Sequence, residues 1–323
     1  MNYSLPYKTK QFFFALIKLS IVVGAFYFIY NKLANNGNLK FSTFFTFLNE
    51  NAFFSAKNVF FLLVLSLFNW FLEILKWKQL VSTIKKISFF EATKQTLGSL
   101  TASLFTPNRI GEYGAKAIYF VNSYRKKIML LNLVGNTLQM VVTVVFGSIG
   151  LLLFTSTYSI NIDVYRILRI LTLGVVIIVF FILGVKQTKY TIKGFSLNKI
   201  FLFLKNLPVK VSFLVTVFSI FRYVLFSFQF YYLLLLFGVN MHYLDAMVII
   251  TTMYLLTSII PTLFIFDVVV KGSVAVFLFS FTSISTLTIL SVITTMWILN
   301  FVIPSVAGCY FVLTFNHKKQ LKP

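Results

Sequence analysis

The chain has 323 residues, of which 59% are hydrophobic, 19% aromatic and 11% charged, and its mean hydropathy is +0.89. The 29 Lys and Arg outweigh 7 Asp and Glu, giving a formal net charge of +22. A water-soluble fold cannot hide this much apolar surface, so the composition excludes soluble domains and implies an all-α, polytopic transmembrane bundle forming one integral membrane domain over 1–323.

The charge does not indicate nucleic acid. Lys and Arg cluster in short loops between apolar runs, which is the positive-inside pattern of membrane topology together with contact to anionic headgroups. The single cysteine, Cys309, excludes an intrachain disulfide, and neither it nor His242 and His317 falls in a zinc spacing. No phosphate-binding loop, dinucleotide fingerprint, H-E-x-x-H or G-x-S-x-G is present, so no cofactor or metal is expected.

In chain order, Lys8 and Lys10 precede an apolar run over 11–30 with no small-residue cleavage pattern, which predicts an uncleaved first span. A second span is expected at 58–75, with Lys76 and Lys78 marking its cytoplasmic end and Trp70 and Trp77 in an interfacial belt. Residues 87–105 are long enough to cross but carry Glu91, Lys94, Gln95, Thr96, Ser99, Thr101 and Ser103, then break at Thr106-Pro107. Both flanks are basic. A re-entrant hairpin over about 87–120, entering and leaving on one side, accounts for these features.

The third span, 128–154, carries Asn132, Asn136, Gln139 and Thr143 on one helix face. Amides facing lipid tails would go unsatisfied, so this face points into the bundle, either as interhelical glue or as the lining of a wet cavity. Further spans are expected at 165–185, at 211–237 with Arg222, Ser219 and Gln229 sharing a face, and at 245–266. Two more must fit within 268–314, with a turn among 282–295 and a kink at Pro304, to return the lysine-rich tail inside. The count is eight spans plus the hairpin, with both termini cytoplasmic.

The stretch "TPNRIGEYGAKAIYF", 106–120, gathers Arg109, Glu112 and Lys116 beside Pro107 and Gly111. Thr106 suits an N-cap and Pro107 a first helical position, so the spacing predicts a helix start with Arg109 on its first turn. Such a start offers free N–H groups and a guanidinium fork to a phosphate. Glu112 lies three residues from Arg109 and four from Lys116, so the same charges would also pair with one another.

The segment "SLTASLFTPNRIGEYGAKAIYF", 99–120, resembles the P-x-R-x-G-E motif of the lysylphosphatidylglycerol synthase transmembrane family, the flippase-like integral membrane proteins. "FRYVLFSFQFYY", 221–232, and "IPTLFIFDVVVKGSVA", 260–275, are similar to its bacteroidete branch. The resemblance implies a bundle in the bacterial inner membrane that handles lipid or lipid-linked substrates. It also implies roles for Pro107, Arg109, Gly111, Glu112, Arg222, Gln229, Pro261 and Gly272. Asp267 stands where relatives often have Glu, and Lys271 where they often have Arg. The soluble aminoacyl-transferring domain is absent, so lysyl transfer is not expected.

The expected function is binding or translocation of a lipid with an anionic headgroup by a non-enzymatic protein. Arg109, Glu112, Lys116, Arg222, Gln229, Asp267 and Lys271 are expected at the substrate, and Asn132, Asn136, Gln139 and Thr143 along its path. Two alternatives stand beside it: a membrane-embedded transferase acting on lipid-phosphate substrates, and a non-transporting partner of a cell-envelope enzyme.

Overall fold

The computed structural model describes residues 55–104, 106, 109–158, 205–260 and 267–316, with isolated positions at 23, 27, 46, 191, 192, 195, 196, 202, 203 and 321. The expected spans at 11–30 and 165–185, Pro107, Pro261 and the side chain of Asp267 lie outside the described residues, apart from Val23 and Tyr27. The regular structure among the described residues is helical apart from a two-residue antiparallel ladder, Thr191–Ile192 against Phe195–Ser196, and a single bridge between Phe120 and Leu321.

The helices are α1 (Ala56–Val81), α2 (Phe89–Ala102), α3 (Gly111–Ala117), α4 (Asn122–Thr157), α5 (Val209–Leu236), α6 (Tyr243–Ile259), α7 (Asp267–Phe279), α8 (Thr286–Trp297), a π-helical turn (Ile298–Val302) and α9 (Ile303–Leu313). Among the described residues, α1, α4, α5 and the continuous Thr286–Leu313 rod are long and apolar enough to cross a membrane. At 1.5 Å per residue the 26 residues of α1 reach about 39 Å, more than the roughly 30 Å of hydrocarbon they must cross.

The solvent exposure is inverted relative to a soluble protein. Phe60, Leu67 and Phe68 on α1, Val145, Ile149 and Leu153 on α4, and Phe213 and Phe221 on α5 face outward, whereas Gln95, Thr96, Ser99 and Thr101 of α2 are buried. That burial explains the polar load of 87–105: its side chains face protein rather than lipid, and Thr101 donates to the Ser305 carbonyl at 2.7 Å. Ser88 and Glu91 form a reciprocal capping box that starts α2, so Glu91 is a helix cap.

The α2–α3 segment leaves one end of the bundle and returns to it. Val81 at the end of α1, Ile87 before α2, Phe120 before α4 and Val211 at the start of α5 share one hydrophobic cluster, with Leu321 of the tail packed against it. Leu321 N–H donates to the Tyr119 carbonyl at 2.8 Å, tying the tail to the same end. Elsewhere, close approach depends on small residues. A Cβ on Gly147 of α4 would lie 3.0 Å from the Thr251 carbonyl oxygen of α6 and still nearer to Leu255, so only glycine lets these helices meet.

Several boundaries shift from expectation. The α1 helix runs on through Lys76 and Trp77, which are buried, so Lys76 does not mark a membrane end. Trp70 and Trp77 are likewise buried, and neither belongs to an interfacial belt. The α6 helix stops at Ile259, and the last turn falls at 280–285, where Ser285 caps α8.

Pro304 acts through the turn before it. It lacks the N–H that would reach back to the Asn300 carbonyl, and the helix passes through a π-turn there. The Asn300 carbonyl accepts from Trp70 Nε1 at 3.0 Å.

Candidate functional site: a cationic cavity in the bundle

The break between α2 and α3 is organised by Thr106. Its hydroxyl donates to the Ser103 carbonyl at 2.7 Å and accepts from Gly111 N–H at 2.9 Å. The helix therefore begins at Gly111, four residues later than the spacing predicts, and Thr106 caps it from a distance. A side chain at Gly111 would strike Thr106, its Cβ lying 2.7 Å from Cγ2. Arg109 precedes the helix with φ at +57°, left-handed backbone that a long cationic residue adopts only when its surroundings enforce it.

Within this segment Glu112 collects both neighbouring cations. Arg109 Nη2 lies 2.8 Å and Lys116 Nζ 2.7 Å from its carboxylate. Lys116 is almost wholly enclosed, with Asn132 Oδ1 at 2.8 Å and the Trp77 ring centroid at 4.2 Å. The α3 helix is only seven residues long and carries Glu112 in its first turn, so the expected anion site at a free helix start does not form. The cation that faces outward is Arg109, with 36% of its side chain exposed.

A second cluster joins α1 to α5. Glu73 pairs with Lys76 at 2.6 Å and with Arg222, whose Nε also donates to Asn69 Oδ1 at 3.1 Å. Arg222 Nη1 reaches Gln139 Oε1 at 3.3 Å. From Asn69 the network continues to Asn300 Oδ1 at 3.2 Å, from Asn300 Nδ2 to Gln229 Oε1 at 2.8 Å, and from Gln229 Nε2 to Ser66 Oγ at 2.9 Å. In each cluster one carboxylate meets two cations, so each keeps one unit of positive charge.

These elements enclose a cavity of about 720 Å³. Arg109, Arg222 and Lys271 stand on its wall, and no carboxylate is among the described wall residues. Much of the remainder is aromatic: Trp70, Tyr223, Phe226, Phe230, Tyr254 and Trp297. Four buried polar atoms of wall residues have no hydrogen-bond partner among the described residues: Arg109 Nε, Tyr223 Oη, Tyr254 Oη and Trp297 Nε1. Such an enclosure suits an amphiphile, with charge for an anionic head and rings for apolar chains.

The expected site residues divide accordingly. Arg109, Arg222, Lys271, Gln139 and Thr143 reach the cavity. Glu112 stands behind Arg109, and Gln229 is buried in the Asn300 network. The polar face of α4 splits. Gln139 and Thr143 meet the cavity, while Asn132 turns to Lys116 and Asn136 donates to Tyr113 Oη at 3.1 Å. Lys116 is sealed inside its cluster, so a role at the substrate is replaced by one in holding Glu112. Gly272 packs α7 against Leu290 of α8 at 3.2 Å from a built Cβ.

Neither Asn69, Asn300 nor Glu73 is among the residues singled out from the sequence. The available signal was a lone amide within each long apolar run, a placement that needs a partner.

No family model, curated protein or solved structure matches the chain.

Proposed function

We propose that this protein binds a lipid or lipid-linked substrate with an anionic headgroup in the cavity and passes it between leaflets. The observation that carries the reading is the wall itself, where Arg109 and Arg222 stand out from two clusters that each keep one unit of positive charge, within a space of about 720 Å³ otherwise rich in aromatic rings. Glu73 and Glu112 lie behind the arginines and orient them, which leaves an excess of positive charge facing the ligand. The resemblance of 99–120 to the flippase-like family supports the same substrate class.

The accompanying topology is eight spans and a re-entrant α2–α3 hairpin in a bacterial inner membrane, with both termini cytoplasmic. The return of α2–α3 to one end of the bundle, beside the tail, supports it. Cysteines placed at Asn36 and Ser159 should then label from outside, and ones at Thr188 and Gln320 only from inside.

The test of function is the lipid retained by the purified protein, identified by mass spectrometry, followed by transfer of a fluorescent phosphatidylglycerol between leaflets of reconstituted vesicles. Enrichment of anionic over zwitterionic lipid with leaflet transfer is expected. Retained lipid that mirrors the bulk membrane, with no transfer, overturns the reading. Chemical conversion of an added polyprenyl phosphate would favour the transferase instead, and a stoichiometric copurifying enzyme without transfer would favour the assembly partner.

A further inference from the structure

We infer that the cavity holds a second, hydrogen-bonding subsite, formed by Tyr223, Tyr254 and Trp297, that takes the ester oxygens of a diacyl glycerolipid. The inference rests on the reading of the cavity as the seat of an anionic lipid.

The aromatic residues of this protein fall into two groups. Four aromatic residues away from the cavity interior have satisfied polar tips. Trp77 Nε1 donates to Gln95 at 2.8 Å, Tyr119 Oη to the Lys94 carbonyl at 3.1 Å, Tyr231 Oη to the Met241 carbonyl at 3.2 Å, and Tyr232 Oη to Asn58 at 3.0 Å. Trp70, also on the wall, gives its N–H to Asn300. Tyr223, Tyr254 and Trp297 are each less than a tenth exposed, line the cavity, and have no partner for their polar atoms among the described residues. Buried Tyr and Trp ordinarily find one.

Placement ties these groups to the cationic site. Tyr223 follows Arg222 on α5, and its ring centroid lies 6.0 Å from that of Tyr254, edge to face. Trp297 stands one turn before Asn300, which binds Asn69, the partner of Arg222 Nε. An indole N–H only donates, so the ligand group that meets it in the proposed subsite is an acceptor. A phosphate at Arg222 leaves a glycerolipid's ester carbonyls next in line, where these groups stand. A polyprenyl phosphate presents the same head but only hydrocarbon beyond it, leaving the donors bare. The cavity thus selects by linkage as well as by charge.

The experiment measures Kd by native mass spectrometry on the full chain for four probes: dioleoyl phosphatidate, its dialkyl ether analogue, a polyprenyl phosphate and dioleoylglycerol. The ester should bind about three- to tenfold more tightly than the ether, the gain expected of a net hydrogen bond. Tyr223→Phe and Tyr254→Phe should each narrow that gap more than they weaken the ether, with little change in melting temperature, since each keeps its ring and loses no partner among the described residues.

Equal ester and ether affinities in the native chain overturn the subsite, and this comparison needs no variant. Variants that weaken both lipids equally, or melt earlier with the gap intact, overturn it too. Dioleoylglycerol separates the two readings. If it binds as tightly as phosphatidate, the anionic-head reading fails while the ester–ether gap still reports on the subsite.

Discussion

Glu112 and Glu73 each hold two cations, but they recruit them differently. Glu112 takes Arg109 and Lys116 from positions three and four residues away in one short segment. Glu73 takes Lys76 from its own helix and Arg222 from a helix 149 residues further on. The first arrangement shapes a backbone break and needs little tertiary structure to form. The second fastens α1 to α5 and exists only when those helices have packed. Both end in the same geometry, a sheltered carboxylate behind an arginine that faces the cavity. Similar chemistry at the cavity therefore stands on supports of different origin, and substitutions should separate them.

The largest effect is expected from Glu73→Gln. It would leave Lys76 and Arg222 as neighbouring, sheltered cations, Lys76 being 3% exposed at its side chain. Removing one partner of a buried pair costs about 3–5 kcal/mol, so folded yield and detergent melting temperature should fall sharply. A Glu73→Gln protein that melts like the native one would show that the α1–α5 fastening lies elsewhere.

Arg222→Leu divides the same cluster at its other member. Glu73 keeps Lys76 at 2.6 Å, so the carboxylate is not orphaned, and membrane yield should fall less than in Glu73→Gln. Binding of phosphatidylglycerol should weaken more than tenfold, equivalent to about 1.4 kcal/mol or more, because a charge-assisted contact is lost. Retained lipid affinity with collapsed folding would make Arg222 a structural member of the pair and remove it from the site.

Arg109→Lys carries the comparison to the local cluster. Lysine still pairs with Glu112, and a partly exposed pair of this kind is worth about 0–1 kcal/mol, so melting should barely change. If Arg109 grips phosphate through its planar fork, lipid binding should weaken about three- to tenfold. Unchanged binding would leave this cluster as a brace alone. Exchanging Arg109 and Glu112 is a poor control. The exchange would set an arginine against Lys116, whose side chain is 1% exposed, and pairing would not be restored.

What was legible in the sequence follows the same division. The Glu112–Lys116 pair could be read from spacing alone, as could the inward polar face of α4, because helix periodicity sets both, while Arg109 meets Glu112 from outside the helix. The start of α3 could not, since Thr106 reaches past the usual capping distance and Arg109 takes a left-handed conformation that no residue type announces. Lys76 and Trp77 looked like the end of a span because composition does not show which buried residues find partners. Lys76 finds Glu73 one turn back on its own helix, whereas Gln95 and Lys116 reach Trp77 from other parts of the fold. Asn69 and Asn300 became significant only when their helices met, 231 residues apart.

The smallest expected effect concerns that last meeting. Pro304 removes the N–H that would bind the Asn300 carbonyl, and Trp70 Nε1 takes its place at 3.0 Å. Trp70→Phe should therefore cost about 1 kcal/mol in the native chain, since it leaves a buried carbonyl without its donor. Pro304→Ala restores a backbone N–H four residues on and gives that carbonyl an alternative. In the Pro304→Ala background the same Trp70→Phe change should cost less, and the two substitutions should couple by about 0.5–1 kcal/mol in a double-mutant cycle. The measurement is denaturant unfolding in one detergent for all four proteins, with lipid removed so that binding does not contribute. Strict additivity would mean that the carbonyl does not pass between the two donors. The π-turn would then be a packing feature of α8 and α9, and Pro304 would have no part in setting Asn300 at the centre of the polar network.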